Sequence, residues 1–160
     1  MTPTVYIETT IPSYYFDERS ALANEIARTR EWWDEHRESY ECYVSAVVLE
    51  ELSTGDYPYK AQCLTLVESL PVLALTSEVR DIADVYLKRG LMSKQPIADA
   101  LHLALASHYK LDYLLTWNCR HLANANKIRP LENLNQGMGL PVPIFATPQM
   151  LYPLEKRDEL

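Results

Sequence analysis

Residues 97–116 read IADALHLALASHYKLDYLLT. From Ile97 to Ala106 this run is apolar nearly all round at helical length, with Asp99 as its one acid. Such a helix is expected to lie between a sheet and its neighbours. Tyr113–Thr116 follows as a short β-branched and aromatic-rich run, the signature of a strand.

Working outward, strands are expected at Thr4–Thr9, Glu41–Ser45, Val72–Leu75 and Pro143–Ala146. Between them, Pro12 breaks the first strand pattern before a charged helix from about Ala21 to Arg37, with Leu22, Ile26 and Trp33 on one face. A helix spans Val47–Ser53, and another after Gly55 and Pro58 carries Leu64, Val67 and Leu70. Thr76 and Ser77 are candidate N-caps for a helix whose Val79, Ile82, Ala83, Tyr86 and Leu87 form a stripe ending at Gly90. Pro96 opens the buried helix, WNCRHLANANK reads as a polar stretch, and Thr147-Pro148 starts a terminal helix. Strands alternating with helices predict one α/β domain over residues 1–160: a three-layer α/β/α sandwich on a parallel five-stranded sheet. In such a sheet ligands bind beyond the C-terminal ends of the strands.

The chain has 22 Asp and Glu against 15 Lys and Arg, a net charge of −7, which excludes a uniformly basic nucleic-acid glove. Any contact with nucleic acid must then be local, and basic residues gather at Arg80, Lys88, Arg89 and Lys94 and again at Arg120, Lys127 and Arg129. Cys42, Cys63 and Cys119 are scattered and form no CxxC pair, so neither a zinc site nor a disulfide framework is indicated and a reducing cytoplasm fits. Residues 1–20 show neither a basic n-region nor an apolar h-region, so no secretory leader is expected, and no run is long enough to span a bilayer; the terminal RDEL, Arg157–Leu160, is read as coincidence.

Glycine-rich phosphate loops, HExxH and GxSxG are all absent. What stands at strand ends instead is oxygen: Glu8 after the first strand, Glu51 on the helix after the second, Asp99 in the first turn of the buried helix, and Asn118 after the fourth strand. A parallel sheet turns all four toward one edge, where an oxygen-rich pocket suits Mg²⁺ or Mn²⁺ and the hydrolysis of a phosphodiester. Taken singly each has an ordinary use. Glu8 and Glu51 read as solvated acids, Asp99 as a partner of the helix dipole, His102 as a hydrogen-bonded core residue and His121 as a surface cap. Tyr14, Tyr15 and Trp117 are candidates for stacking on bases, against packing as the commoner use of aromatics.

At these residues the chain resembles the PIN-domain ribonucleases, particularly the VapC-like toxins. The similar passages are VYIETTIPS, VSAVVLEELSTG, PIADALHLALA and YLLTWNCRHL, in family order across most of the chain. The resemblance implies that Glu8, Glu51 and Asp99 hold Mg²⁺ or Mn²⁺, that Asn118 completes the catalytic set, and that Thr10, Thr116, His121 and Arg120 support it or touch substrate. It further implies an RNA substrate, a cognate antitoxin and a homodimer. The chain departs from the family pattern at Glu8, where Asp is usual, and in the fourth acid, whose two usual places hold Asn118 and His121. Two other classes compete: a PIN-like binding or regulatory protein with weakened catalysis, and a receiver-like signalling domain. The receiver reading needs a Lys after the fifth strand, where the sequence has PIFATP.

Overall fold

The computed structural model describes residues 2–92 and 97–154. Pro96, Lys94 and the RDEL tail lie outside them. Five strands, β1 (Thr4–Ile7), β2 (Glu41–Ser45), β3 (Val72–Leu73), β4 (Tyr113–Leu115) and β5 (Ile144–Ala146), form one parallel sheet in the order β3-β2-β1-β4-β5. Central β1 carries Val5, Tyr6 and Ile7, each fully buried although successive side chains point to opposite faces. Both faces of the sheet are therefore covered, as a parallel sheet requires, and the architecture is an α/β/α sandwich. The chain order reverses between β1 and β4, which makes that junction the switch point where open α/β sheets bind ligands. A receiver sheet runs 2-1-3-4-5, so the observed order removes the receiver-like alternative.

Seven α-helices are described: α1 (Thr10–Phe16), α2 (Ala23–Glu31), α3 (Ala46–Ser53), α4 (Lys60–Val67), α5 (Ser77–Lys88), α6 (Ile97–His108) and α7 (Ile128–Gly137). The Thr76 hydroxyl accepts from Val79 N–H at the start of α5. At its end Gly90, at φ +71°, turns the chain so that Gly90 and Leu91 N–H reach the Leu87 and Tyr86 carbonyls. That pair of bonds is a Schellman motif, and a β-carbon at this left-handed position would be strained.

Four sequence expectations need correction. Pro12 does not break the first strand, which ends at Ile7; it sits in the first turn of α1, where a missing N–H costs nothing. The helix expected over 21–37 is composite: a 3₁₀ turn at Ser20–Leu22, α2, a π turn at Trp32–His36 and a 3₁₀ turn at Arg37–Ser39. The wider π turn lets the adjacent Trp32 and Trp33 both enter the core, at 0% and 5% exposure. The segment after WNCRHLANANK contains α7, which Pro130 and the glycines disguise, although Leu131 and Asn135 are buried one turn apart. Thr147-Pro148 starts only a turn over 148–150, closed by Met150 N–H on the Thr147 carbonyl, and no helix follows among the described residues.

One buried polar cluster ties three helices together. Tyr86 of α5 donates to Asn135 Oδ1 of α7 at 2.6 Å, and Asn135 Nδ2 donates to Ser107 Oγ of α6 at 3.0 Å. Helix α6, which carries Asp99 and His102, is thus held in position from its C-terminal end. No helix among the described residues is long and apolar enough to cross a membrane.

Candidate active site

Glu8 leaves the end of β1 and is 4% exposed. Its Oε1 accepts from Thr10 N–H at 3.0 Å, Thr10 Oγ1 at 2.5 Å and Thr116 Oγ1 at 2.7 Å. Thr10 opens α1 and Thr116 follows β4, so this carboxylate bridges the switch point. A buried carboxylate needs such donors, since an unpaired one would be driven to neutrality. The Thr10 hydroxyl also accepts from Trp117 N–H at 2.9 Å, which fixes the backbone leaving β4.

Glu51 lies on α3. Its Oε1 accepts from Thr9 Oγ1 at 2.5 Å and from His102 Nε2 at 2.6 Å. Thr9 precedes α1 without capping it, and gives its hydroxyl to Glu51 instead. His102 is fully buried and uses both ring nitrogens: Nδ1 lies 2.6 Å from Tyr6 OH, which lies 2.8 Å from Ser45 Oγ. In either charge state Nε2–H donates to Glu51; the neutral ring accepts from Tyr6 at Nδ1, and the protonated ring donates to it while Tyr6 turns to Ser45. Burial alone would lower the His102 pKa, but the Glu51 hydrogen bond and the charges of Glu8, Glu51 and Asp99 carry it above the ordinary value. Burial likewise opposes ionised Glu51, and the His102 and Thr9 contacts overcome it and hold the carboxyl below its usual range.

Asp99, half-buried in the first turn of α6, has its pKa raised by burial, against the pull of His102 and His121. Its Oδ1 accepts from Asn118 Nδ2 at 3.2 Å. Donor atoms of Glu8, Glu51 and His102 lie within 4.8 Å of one another, and Asp99 stands outside that tight group, one helical turn from His102. Each of the three carboxylates meets the protein through one oxygen; the second has no hydrogen-bond partner among the described residues. Three such oxygens are a donor set that suits a hard divalent cation.

Neither a family model nor a curated protein matches the sequence. Solved structures do match in three dimensions. VapC20 of Mycobacterium tuberculosis, a Sarcin-Ricin loop cleaving toxin, aligns with a TM-score of 0.55 at 14% identity, over 69% of this chain and 86% of that one. VapBC-1 of nontypeable Haemophilus influenzae aligns at 0.55 and 13% identity, over 91% and 98% of the two chains. FitAcB of Neisseria gonorrhoeae gives 0.54 at 16% identity, over 92% and 99%. The fold is that of the PIN domain. At these identities the likeness concerns the fold alone.

Within this PIN fold the other sequence candidates have distinct places. Thr10 and Thr116 are donors to Glu8. Asn118 is not a bare ligand: its Oδ1 accepts from His121 N–H at 3.1 Å, closing the turn after β4, while its amide donates to Asp99. His121 is exposed beside Asp99 and acts on it through charge. Arg120 is exposed, and among the described residues no hydrogen bond or ion pair joins its guanidinium to the carboxylates. Tyr14 and Trp117 stack on each other at 5.9 Å and 12°, and the indole N–H donates to Thr29. Thr9, Ser45 and Tyr6 are the residues that sequence reasoning missed. All three lie in the quoted VYIETTIPS and VSAVVLEELSTG passages, but nothing in their local pattern signals the hydroxyl contacts they make.

Asn118 yields a prediction in two directions. Asn118→Ala frees Asp99 and uncaps the turn, and Mn²⁺ affinity should fall by roughly 10–100-fold, as for loss of an outer-shell partner. Asn118→Asp keeps the cap but sets a second acid against Asp99. The metal-free protein should lose stability while its thermal gain on adding Mn²⁺ grows, and thermal unfolding with and without Mn²⁺ reads both effects.

Proposed function

We infer that the chain is a divalent-metal-dependent endoribonuclease and the toxin of a VapBC-type toxin–antitoxin pair, acting in the cytoplasm as a homodimer. The observation that carries this reading is the grouping of Glu8 and Glu51 with His102 at the C-terminal edge of a PIN-type sheet, with Asp99 one helical turn from His102. Glu8, Glu51 and Asp99 would hold Mg²⁺ or Mn²⁺ through their unengaged oxygens. A divalent ion bound there lowers the pKa of a water, orients the scissile phosphate and offsets charge on the leaving oxygen.

The protein's own part is to hold the acids in place. Thr10 and Thr116 fix Glu8, Thr9 and His102 fix Glu51, and Asn118 fixes Asp99. Three carboxylates also repel an RNA backbone, so the site needs its cation before it can accept a phosphate. One structural neighbour is described as a cleaving toxin and another, from Klebsiella pneumoniae, as a toxin–antitoxin complex, which supports an antitoxin as partner. A weakly catalytic PIN-like binding protein is the second reading, favoured by the neutral Asn118 where the family pattern has an acid.

Purified protein incubated with mixed RNA should cleave it with Mg²⁺ or Mn²⁺ and stop with EDTA, and Asp99→Asn should lower the rate by about 100-fold or more. Cleavage that survives EDTA or is unchanged in Asp99→Asn refutes the metal mechanism. Metal binding without cleavage selects the weakly catalytic reading.

A further inference from the structure

A chain with seven more acids than bases has few places where cations stand without acids. The fold creates one from the two basic clusters of the sequence. Arg89, just after α5, and Lys127, just before α7, line a single cleft of about 460 Å³ with Leu91, Asn126, Asn133 and Leu134. No Asp or Glu lines it. Among the described residues, three other clefts that contain charged residues include acids: Glu132 beside β5, and Asp17 with Glu18 in two clefts at the end of α1. Among the described residues neither Arg89 nor Lys127 belongs to an ion pair.

The cleft is tied to the acidic site. Lys127 Nζ donates to the His121 carbonyl at 2.9 Å, and His121 N–H is held by Asn118, whose amide holds Asp99. A lysine anchored this way keeps its remaining donors on a fixed stem next to the turn that follows β4. Three carboxylates cannot attract a polyanion, so a nuclease built on them needs cations beside the metal, and Arg89 and Lys127 are two that share a cleft with no acid among its lining residues.

We propose that this cleft binds the phosphate backbone of the RNA strand lying beside the acidic site, with Arg89 and Lys127 as the phosphate contacts and Asn126 and Asn133 as polar contacts to the same strand. The proposal rests on the ribonuclease reading for the identity of its ligand. It differs from that reading in predicting binding that requires no metal.

The test is fluorescence anisotropy with a short labelled single-stranded RNA in EDTA, from about 50 to 200 mM salt. Over that range the logarithmic salt slope of the affinity falls by ~0.7 for each single-strand phosphate that the protein ceases to neutralise. Arg89→Ala and Lys127→Ala should each weaken binding several-fold and flatten the slope by ~0.7, and the double variant by ~1.4. Arg89→Lys and Lys127→Arg should restore most of the slope, because charge is what counterion release measures. Arg89 is exposed and Lys127 part-buried, and thermal unfolding confirms that the variants fold. A double variant with unchanged affinity and slope overturns the proposal, whether or not the parent cleaves RNA. If an oligoglutamate peptide of equal charge displaces RNA as well as unlabelled RNA does, the cleft belongs to an acidic protein partner and the proposal also fails. Failure of the ribonuclease reading shows separately, as a parent that binds RNA through this cleft but never cuts it with Mn²⁺.

Discussion

Glu8→Gln is expected to keep the fold and lose the metal, while Glu8→Ala is expected to lose stability as well. The carboxylate is 4% exposed, and one oxygen serves three donors from Thr10 and Thr116. A glutamine carbonyl can take the place of that oxygen and satisfy the same donors. Its amide replaces the other oxygen, so a ligand and a negative charge disappear together. Mn²⁺ affinity should drop ~100-fold or more, beyond the ~10–100-fold of an outer-shell loss. In Glu8→Ala the Thr10 N–H and two hydroxyls lose their acceptor in a buried place, and a penalty of about 2–4 kcal/mol follows after the hydroxyls rotate to other partners. Urea unfolding and calorimetry separate the two variants. Equal destabilisation by Gln and Ala, or parental Mn²⁺ affinity in Glu8→Gln, would show that the carboxylate's role is only structural.

The second large effect is at His102. Its imidazole fills a fully buried site, bonds Tyr6 on one side and holds Glu51 on the other. His102→Ala leaves a cavity, removes the partner of Glu51 and leaves Tyr6 with Ser45 alone, at a cost of about 2–4 kcal/mol. Part of this cost depends on pH. His102 has a pKa raised above its ordinary 6.5, so its contribution is complete below that value and is lost as pH rises through the raised pKa. Glu51 has a pKa lowered from 4.5, so its contribution is complete above that value and is lost as pH falls through the lowered pKa. The stability gap between parent and His102→Ala should therefore be widest between 4.5 and 6.5 and narrow toward alkaline pH. A gap constant across pH would assign the whole effect to packing. Tyr6→Phe should cost less, about 1 kcal/mol, because the phenol shares Ser45 and His102 and the ring itself stays packed.

The sheet was readable because its strands announce themselves by composition and its buried helix by lacking a polar face. Glu41–Ser45 and the run from Ile97 emerged where the sequence placed them. α7 was not readable, since Pro130 looks like a breaker unless its place in the first turn is known. The expectation that the acids share one edge came from parallel strands, which set the end of β1 with Glu8 and the helices carrying Glu51 and Asp99 on the same side. Which atoms would meet did not follow. Thr9 and Thr10 are adjacent and chemically alike, yet one hydroxyl serves Glu51 and the other Glu8. His102 joins Glu51 rather than its own helix neighbour Asp99, and Asn118 faces Asp99 with its amide rather than its oxygen. Spacing along a chain sets the face and the edge; rotamers and partners distant in sequence decide which atoms touch.

The central claim is that Glu8, Glu51 and Asp99 together bind one divalent ion on which RNA cleavage depends. Calorimetric titration of Mn²⁺ into the parent and into Asp99→Asn, with RNA cleavage assayed on the same samples, tests it most directly. The expected result is saturable binding by the parent, affinity lower by ~100-fold or more in Asp99→Asn, and a parallel loss of cleavage. Undiminished Mn²⁺ affinity in Asp99→Asn, or cleavage by a parent that binds no Mn²⁺, would contradict it.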